Sequence, residues 1–299
     1  MEIHSTRKRG EFTFFHKNMD IVFTVDTPIE AIKKLTTICV KGASSLNYFI
    51  NKALPVLTQP INLIISNSDQ TFPNNTDIRS KFRYQKNLDI LFEHSYINKI
   101  FVENLDYACP KTLPIPLGLN SNLCPTKLEY FRKHENINPE KPLKLTNFNV
   151  SRFNSIQWAE RHYVNKLCEN YWSEHYIKTH TQDKPKPLTH KSYLKLLSKH
   201  MFTVCVHGGG LDVNPKLWEA LLVGTIPIIR ENKPYTDIYT DLDFPVVRVK
   251  DWGAKTITFK KLTTWRNKYY KHFIDPGKRK DMLHKLSADY WIDYVRYDR

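Results

Sequence analysis

Three of the chain's nine glycines, Gly208, Gly209 and Gly210, sit side by side after an apolar run, residues 202–206. Three adjacent residues without Cβ let a backbone come close to a neighbour, or turn to positive φ, at no steric cost. His207, Asp212, Asn214, Lys216 and Glu219 all fall in that turn or on the first turns of the helix-forming stretch behind it. Lys216 and Glu219 are three apart and so share a helical face. A cation suited to phosphate, beside a carboxylate whose two acceptors match a ribose diol, is the pair a nucleotide-sugar pocket needs. The same spacing also describes an ordinary strand–turn–helix unit with a solvated helix start, because glycine-rich turns are weakly specific.

The elements that must hold these residues are read from hydrophobic period. Residues 202–206 and 225–229 are short, β-branched apolar runs of the kind that form buried parallel strands. Pro227 implies that the ladder does not need its N–H there. In an open α/β sheet ligands collect outside the carboxyl ends of strands, where the polar residues above would lie. Upstream, 20–25, 37–40, 61–65 and 99–102 read as strands, with helices over 28–35, 47–57 and 88–94. Downstream, 143–150 and 244–249 read as strands. Helices are expected over 155–168, with Asn154 or Ser155 as N-cap, over 192–198 and 216–222, and over 278–297 to close the chain. Residues 232–243 read as loop, and no internal repeat is present. The alternation is that of an α/β fold. The proline- and glycine-bearing stretch 112–120 marks a crossover between an N-terminal unit, 1–118, and a second unit, 119–277, followed by the C-terminal helix, 278–299.

Composition narrows the classes. The chain has 299 residues, 41% hydrophobic and 13% aromatic, which is ample for packed cores and excludes a disordered protein. Its net charge of +15 favours an anionic partner. The basic residues are spread along the chain without a motif for reading RNA or DNA, so no nucleic-acid partner is expected. Five cysteines, Cys39, Cys109, Cys124, Cys168 and Cys205, are scattered without CxxC spacing. They point to reduced thiols in a cytosol-like compartment rather than a zinc site or disulfide frame, with Cys39 and Cys205 in the core. The sequence shows neither an apolar leader at its start nor a run long enough to span a membrane, so a soluble chain is expected.

The stretch from Gly208 to Ile229 resembles the donor-site signature of exostosin-like glycosyltransferases. Its Lys216–Leu217–Trp218 and Gly224–Thr225–Ile226–Pro227 are also similar to the matching stretch of the α-1,3-fucosyltransferases. Residues 54–69, 101–104 and 115–118 resemble the acceptor half and crossover of bacterial and viral exostosin-like enzymes, including soluble ones encoded by large algal DNA viruses. The secretory-pathway exostosins carry a type II membrane anchor, which this sequence does not show, so the resemblance implies either a soluble member or a trimmed catalytic unit. What the resemblance implies is GT-B architecture: two Rossmann-like domains facing across a cleft, with a C-terminal helix packing back on the first. It further implies transfer of a sugar from a nucleotide-sugar donor to a hydroxyl of a glycan acceptor, with inversion. UDP-sugars are favoured, UDP-xylose among them; the fucosyltransferase likeness would instead favour GDP-fucose.

Residue roles follow from that resemblance. Arg161 lies on a stretch similar to the helix that carries a phosphate-binding arginine in the fucosyltransferases. With Arg152 and Lys216 it would neutralise the donor diphosphate; its planar donors grip two oxygens at once. Without the resemblance, Arg161 reads equally as a surface ion-pair partner of Glu160 or Glu169. An acidic residue precedes the lysine in the fucosyltransferases, whereas Pro215 stands here, which leaves Glu219 and then Asp212 for the ribose. His207 and the three glycines would border the diphosphate, and Trp218 reads as core. The general base would come from the first half: Asp69, with Asp26 and His94 as rivals, or else Asp69 merely caps its loop. Asp241 and Asp243 form a DxD triplet, a weak signal for a metal. With arginine, lysine and a helix N-terminus available, no metal and no other cofactor is expected. Two other classes compete. A Rossmann oxidoreductase would need GxGxxG, which His207–Gly208–Gly209–Gly210–Leu211 does not supply. A non-catalytic basic module for anionic glycan or nucleic acid is supported by charge alone.

Overall fold

In a computed structural model, residues 20–66, 68–75, 83–84, 88–118, 137–149, 159–178, 188–211 and 215–297 are described. They form an α/β chain with two parallel five-stranded sheets. The first sheet contains β1 (Ile21–Phe23), β2 (Thr37–Lys41), β3 (Ile61–Ser66), β4 (Ile97–Val102) and β5 (Thr112–Pro114), paired in sequential order. The strand β5 lies within the stretch read as crossover. It is an edge strand, and Pro114 can end it there because an edge position spares the missing N–H.

The first sheet's central strands are apolar on both faces, and their alternate residues enter different cores. Ile38, Val40, Leu63, Ile65, Ile100 and Val102 pack on the lobe's own helices. Cys39, Ile64 and Phe101 instead join the larger core that the second half builds. Sequential order puts right-handed crossovers on one face, so the other must be covered by something else. The chain's last helix covers it. Phe101 meets Tyr294 at 5.8 Å between ring centroids, and Asn62 Nδ2 donates to the Val295 carbonyl at 2.6 Å. The helix expected over 47–57 begins earlier: α1 (Gly42–Tyr48) runs on through a π turn, Phe49–Ala53, and a 3-10 turn, Leu54–Val56. Its first turn is capped from outside, by Gln70 Oε1 accepting from Ala43 N at 2.9 Å. A cap drawn from a distant loop leaves no local signal. The helix α2 (Asp89–Glu93) precedes β4.

The second sheet has β6 (Leu145–Asn147), β7 (Tyr176–Ile177), β8 (Phe202–Val204), β9 (Ile226–Arg230) and β10 (Val247–Val249), in the order β10-β9-β8-β6-β7. Strand order reverses between β6 and β8, so this sheet has a topological switch point, where doubly wound folds bind ligands. Around it lie α3 (Ala159–Asn170), α4 (His190–Ser198) and α5 (Pro215–Leu222). The stretch read as loop over 232–243 carries a 3-10 turn, Tyr235–Asp237, and α6 (Ile238–Asp241). Then come α7 (Phe259–Tyr269) and α8 (Lys271–Ile274). The closing helix is two helices, α9 (Pro276–Lys285) and α10 (Ala288–Tyr297). Ser287 makes the break: its Oγ accepts from Tyr290 N at 3.3 Å, the N-cap geometry of a new helix.

The C-terminus of α5 is closed by two cations. Lys141 Nζ donates to the carbonyls of Val223 (3.0 Å) and Gly224 (2.7 Å), and Arg279 donates to those of Leu221 (2.8 Å) and Leu222 (2.5 Å). Positive charge is favourable at that pole of a helix, and the orphan carbonyls are satisfied. Burial, then Arg279 nearby, pulls the Lys141 pKa down to about 7. Gly224 must be glycine twice over: its φ is +71°, and a Cβ there would sit 2.5 Å from Ile137. Trp218 is fully buried between Phe244 and Trp291, as a core residue should be. Cys39 and Cys205 are buried as well.

Candidate functional site

The switch point is spanned by Asn149, which follows β6 and is 3% exposed. Its Nδ2 donates to the Val204 carbonyl of β8 at 2.6 Å, and its Oδ1 accepts from Val206 N at 3.3 Å. The same Oδ1 accepts from Lys216 Nζ at 3.5 Å. Asn149 therefore stitches the two diverging strands and holds the lysine on the first turn of α5. Burial pulls Lys216 down to about 8, and the Arg161 charge pushes in the same direction.

Arg161, in the first turn of α3, is 7% exposed. It is not on the helix surface, where Glu160 or Glu169 would have been its partners. Its Nε donates to the His207 carbonyl at 2.9 Å and one Nη donates to the Val206 carbonyl at 3.4 Å, so it lies under the start of the glycine turn. Burial pulls its pKa down to about 10, which leaves it charged at neutral pH. Arg161 and Lys216 thus converge from two helices on the carboxyl end of β8, near enough that the guanidinium charge disfavours the lysine's charged form.

Glu160 has a different set of partners. Arg230, at the end of β9, grips its two oxygens at 2.9 Å each, while His207 Nε2 lies at 2.6 Å and Trp252 Nε1 at 2.6 Å. Burial alone would raise the Glu160 pKa; the His207 and Arg230 hydrogen bonds outweigh it and hold the group at about 2. The clamp fixes the His207 ring with Nε2 on the carboxylate and Nδ1 3.2 Å from the Gly208 carbonyl. None of Glu160, Arg230, Trp252 or Asn149 was legible as a site residue, because their partners are brought together only by the sheet.

Glu219 is 5% exposed on α5, on the face it shares with Lys216. His190 Nε2, at the start of α4, lies 3.2 Å from its Oε1. Arg152 and Asp212 lie outside the described residues, as do Asn154 and Asn214.

The first half reaches this region through two loops at the carboxyl ends of β3 and β4. Asp69 is half-buried in the first. Its neighbour Ser68 gives its carbonyl to Asn104 Nδ2 at 2.8 Å, and Asn104 Oδ1 accepts from Leu211 N at 2.8 Å, just past the glycines. The Asp69 loop and the glycine turn therefore meet at one side chain. Asp26 is exposed in the turn after β1, and His94 precedes β4, at the amino ends of the strands and so away from the loops at their carboxyl ends. Asp243 of the DxD triplet pairs with His272 at 3.2 Å, beyond α6. Among the described residues no helix is long and apolar enough to cross a membrane.

A scan against protein-family models gives no match, and a search of curated proteins gives none either. Among solved structures, a spinosyn forosaminyltransferase is similar over 92% of this chain and 75% of its own, with 9% sequence identity and a TM-score of 0.32. A TM-score that low establishes neither a shared fold nor a shared function.

Proposed function

We propose that this chain transfers a sugar from a nucleotide-sugar donor to a hydroxyl of a glycan acceptor. The observation that carries the reading is the meeting of Arg161, Lys216, His207 and the glycine turn at the second sheet's switch point, with α5 aiming its N-terminus there. Cations and helix N-terminal amides at such a place favour a diphosphate. The likeness of the same stretch to the exostosin-like donor signature supports a sugar nucleotide over a bare phosphate.

In this mechanism the acceptor oxygen attacks the anomeric carbon while the bond from that carbon to the diphosphate oxygen breaks. The leaving diphosphate takes the electron pair and is stabilised by Arg161 and Lys216. Asp69 takes the acceptor proton, and attack from the side opposite the leaving group inverts the centre. Charge neutralisation by the two side chains makes the reaction metal-independent. UDP is the favoured nucleotide and GDP the alternative.

Thermal unfolding with UDP, GDP and their sugar conjugates tests the reading. A ligand at 100 times its Kd stabilises by about 2.7 kcal/mol, a shift of several degrees. Response to polyanions with none to UDP or GDP would return the chain to the class of basic binding modules.

Glu219 is assigned to the ribose. Glu219→Gln is expected to weaken UDP or GDP binding about ten-fold or more, the worth of a charge-assisted hydrogen bond. Inorganic pyrophosphate, which has no ribose, should bind the variant as it binds the parent. Equal losses for both ligands by calorimetry would remove the assignment.

A further inference from the structure

Gly210 faces the first lobe. A Cβ built on it would lie 2.4 Å from Asn104 Oδ1, 2.7 Å from Asn104 Cγ and 2.8 Å from Asn104 Nδ2. All three nearest atoms belong to one amide, and no real side chain tolerates that approach. Asn104 itself is 3% exposed and held in place: its carbonyl accepts from Phe72 N at 2.9 Å, and Leu105 bridges to Phe72. Its side chain spends a donor on Ser68 and an acceptor on Leu211, both at 2.8 Å. Gln70 then ties the Ser68 loop to α1, through Gln70 N to Ser68 Oγ at 3.1 Å and Gln70 Oε1 to Ala43 N.

We infer that Asn104 is a positioning residue that sets the distance between the Asp69 loop and the glycine turn, and that Gly210 is glycine in order to receive it. The glycine triplet then divides its labour. Gly210 is the seat of a contact with the first half, which leaves Gly208 and Gly209 to the diphosphate assignment made above. Ordering of the turn by a nucleotide is relayed through the Asn104 amide to residues 68–75, where the acceptor's base is assigned. The relay rests on the donor reading given above; the contact does not.

A double-mutant cycle on the free protein tests the contact. Gly210→Ala is expected to lower Tm by about 5 °C, the cost of overpacking a fixed site. In an Asn104→Ala background the same substitution should shift Tm by less than about 1 °C, since the obstructing amide is gone. Equal shifts in both backgrounds would overturn the inference.

Hydrogen exchange with UDP or GDP tests the relay. In the parent, nucleotide should slow exchange over 208–211 and over 68–75. In Asn104→Ala, and in Asn104→Asp, which keeps the Leu211 acceptor but loses the Ser68 donor, protection should remain over 208–211 and vanish from 68–75. Protection of 68–75 that persists in both variants would sink the relay. Nucleotides that leave 208–211 unchanged in the parent would sink the donor reading and the relay with it, with the contact then decided by the cycle.

Discussion

Replacing Lys216 by methionine is expected to weaken UDP or GDP binding by about thirty-fold or more at pH 7, with the fold retained. The lysine stem stays apolar in the substitution, so packing around Asn149 and α5 is little disturbed. What disappears is a cation that converges with Arg161 on the carboxyl end of β8. A hydrogen bond to a charged group contributes about 1.5–3 kcal/mol, and loss of the Coulombic attraction in a half-buried site adds to that. Isothermal titration of parent and variant checks the figure. Unchanged affinity in the variant would take Lys216 out of the diphosphate site.

The pH dependence should follow from the same side chain. With its pKa near 8, Lys216 is mostly charged at pH 7 and mostly neutral at pH 9. If only the ammonium form binds, affinity falls about ten-fold between those values, and binding near pH 8 takes up about half a proton. The methionine variant should show neither effect. Stability of the free protein should move in the opposite sense. A lysine whose folded pKa lies below its ordinary 10.5 leaves the unfolded chain binding more protons between pH 8 and 10.5, so stability rises there. Lys141, held near 7, contributes with the same sign over a wider window.

What the sequence made legible is what local pattern controls. The buried runs at β3, β8 and β9, the glycine turn and the α5 face carrying Lys216 and Glu219 each announce themselves within ten residues. The short strands do not. β7 is two residues long and β5 ends in a proline, and both exist because a neighbouring strand offers them a ladder. The site's supports were hidden for a related reason. Asn104 meets Leu211 across 107 residues of chain, and Glu160 meets Arg230 across 70 and Trp252 across 92. Spacing along the chain places Arg161 beside Glu160 and suggests an ion pair. The fold sends adjacent side chains of one helix start to different tasks, the guanidinium under the glycine turn and the carboxylate into the Arg230 clamp. Gly210 shows the same limit, since a glycine's need for space is local but what fills that space is not.

Glu160→Gln is expected to cost about 3 kcal/mol of stability and to lower Tm by about 6–10 °C. The amide keeps the shape of the carboxylate but cannot neutralise Arg230, and its NH₂ faces donors from Arg230, His207 and Trp252 where an acceptor stood. Holding the Glu160 carboxyl near 2 rather than at its ordinary 4.5 is itself worth about 3 kcal/mol, so two routes give a similar figure. The sign with pH distinguishes this cause from simple loss of packing. A carboxylate with a depressed pKa contributes stability above its unfolded value and loses it as pH falls toward the folded one. The Tm gap between parent and variant should therefore be constant from pH 7 to about 5 and close progressively below about 4.5. A gap as wide at pH 3 as at pH 7, rather than reduced to about half or less, would mean that shape, not charge, holds the clamp. Because the clamp fixes the His207 ring beside the glycine turn, the variant should also bind UDP or GDP more weakly at pH 7. Inorganic pyrophosphate should suffer equally, since His207 is assigned to the diphosphate and not to the ribose.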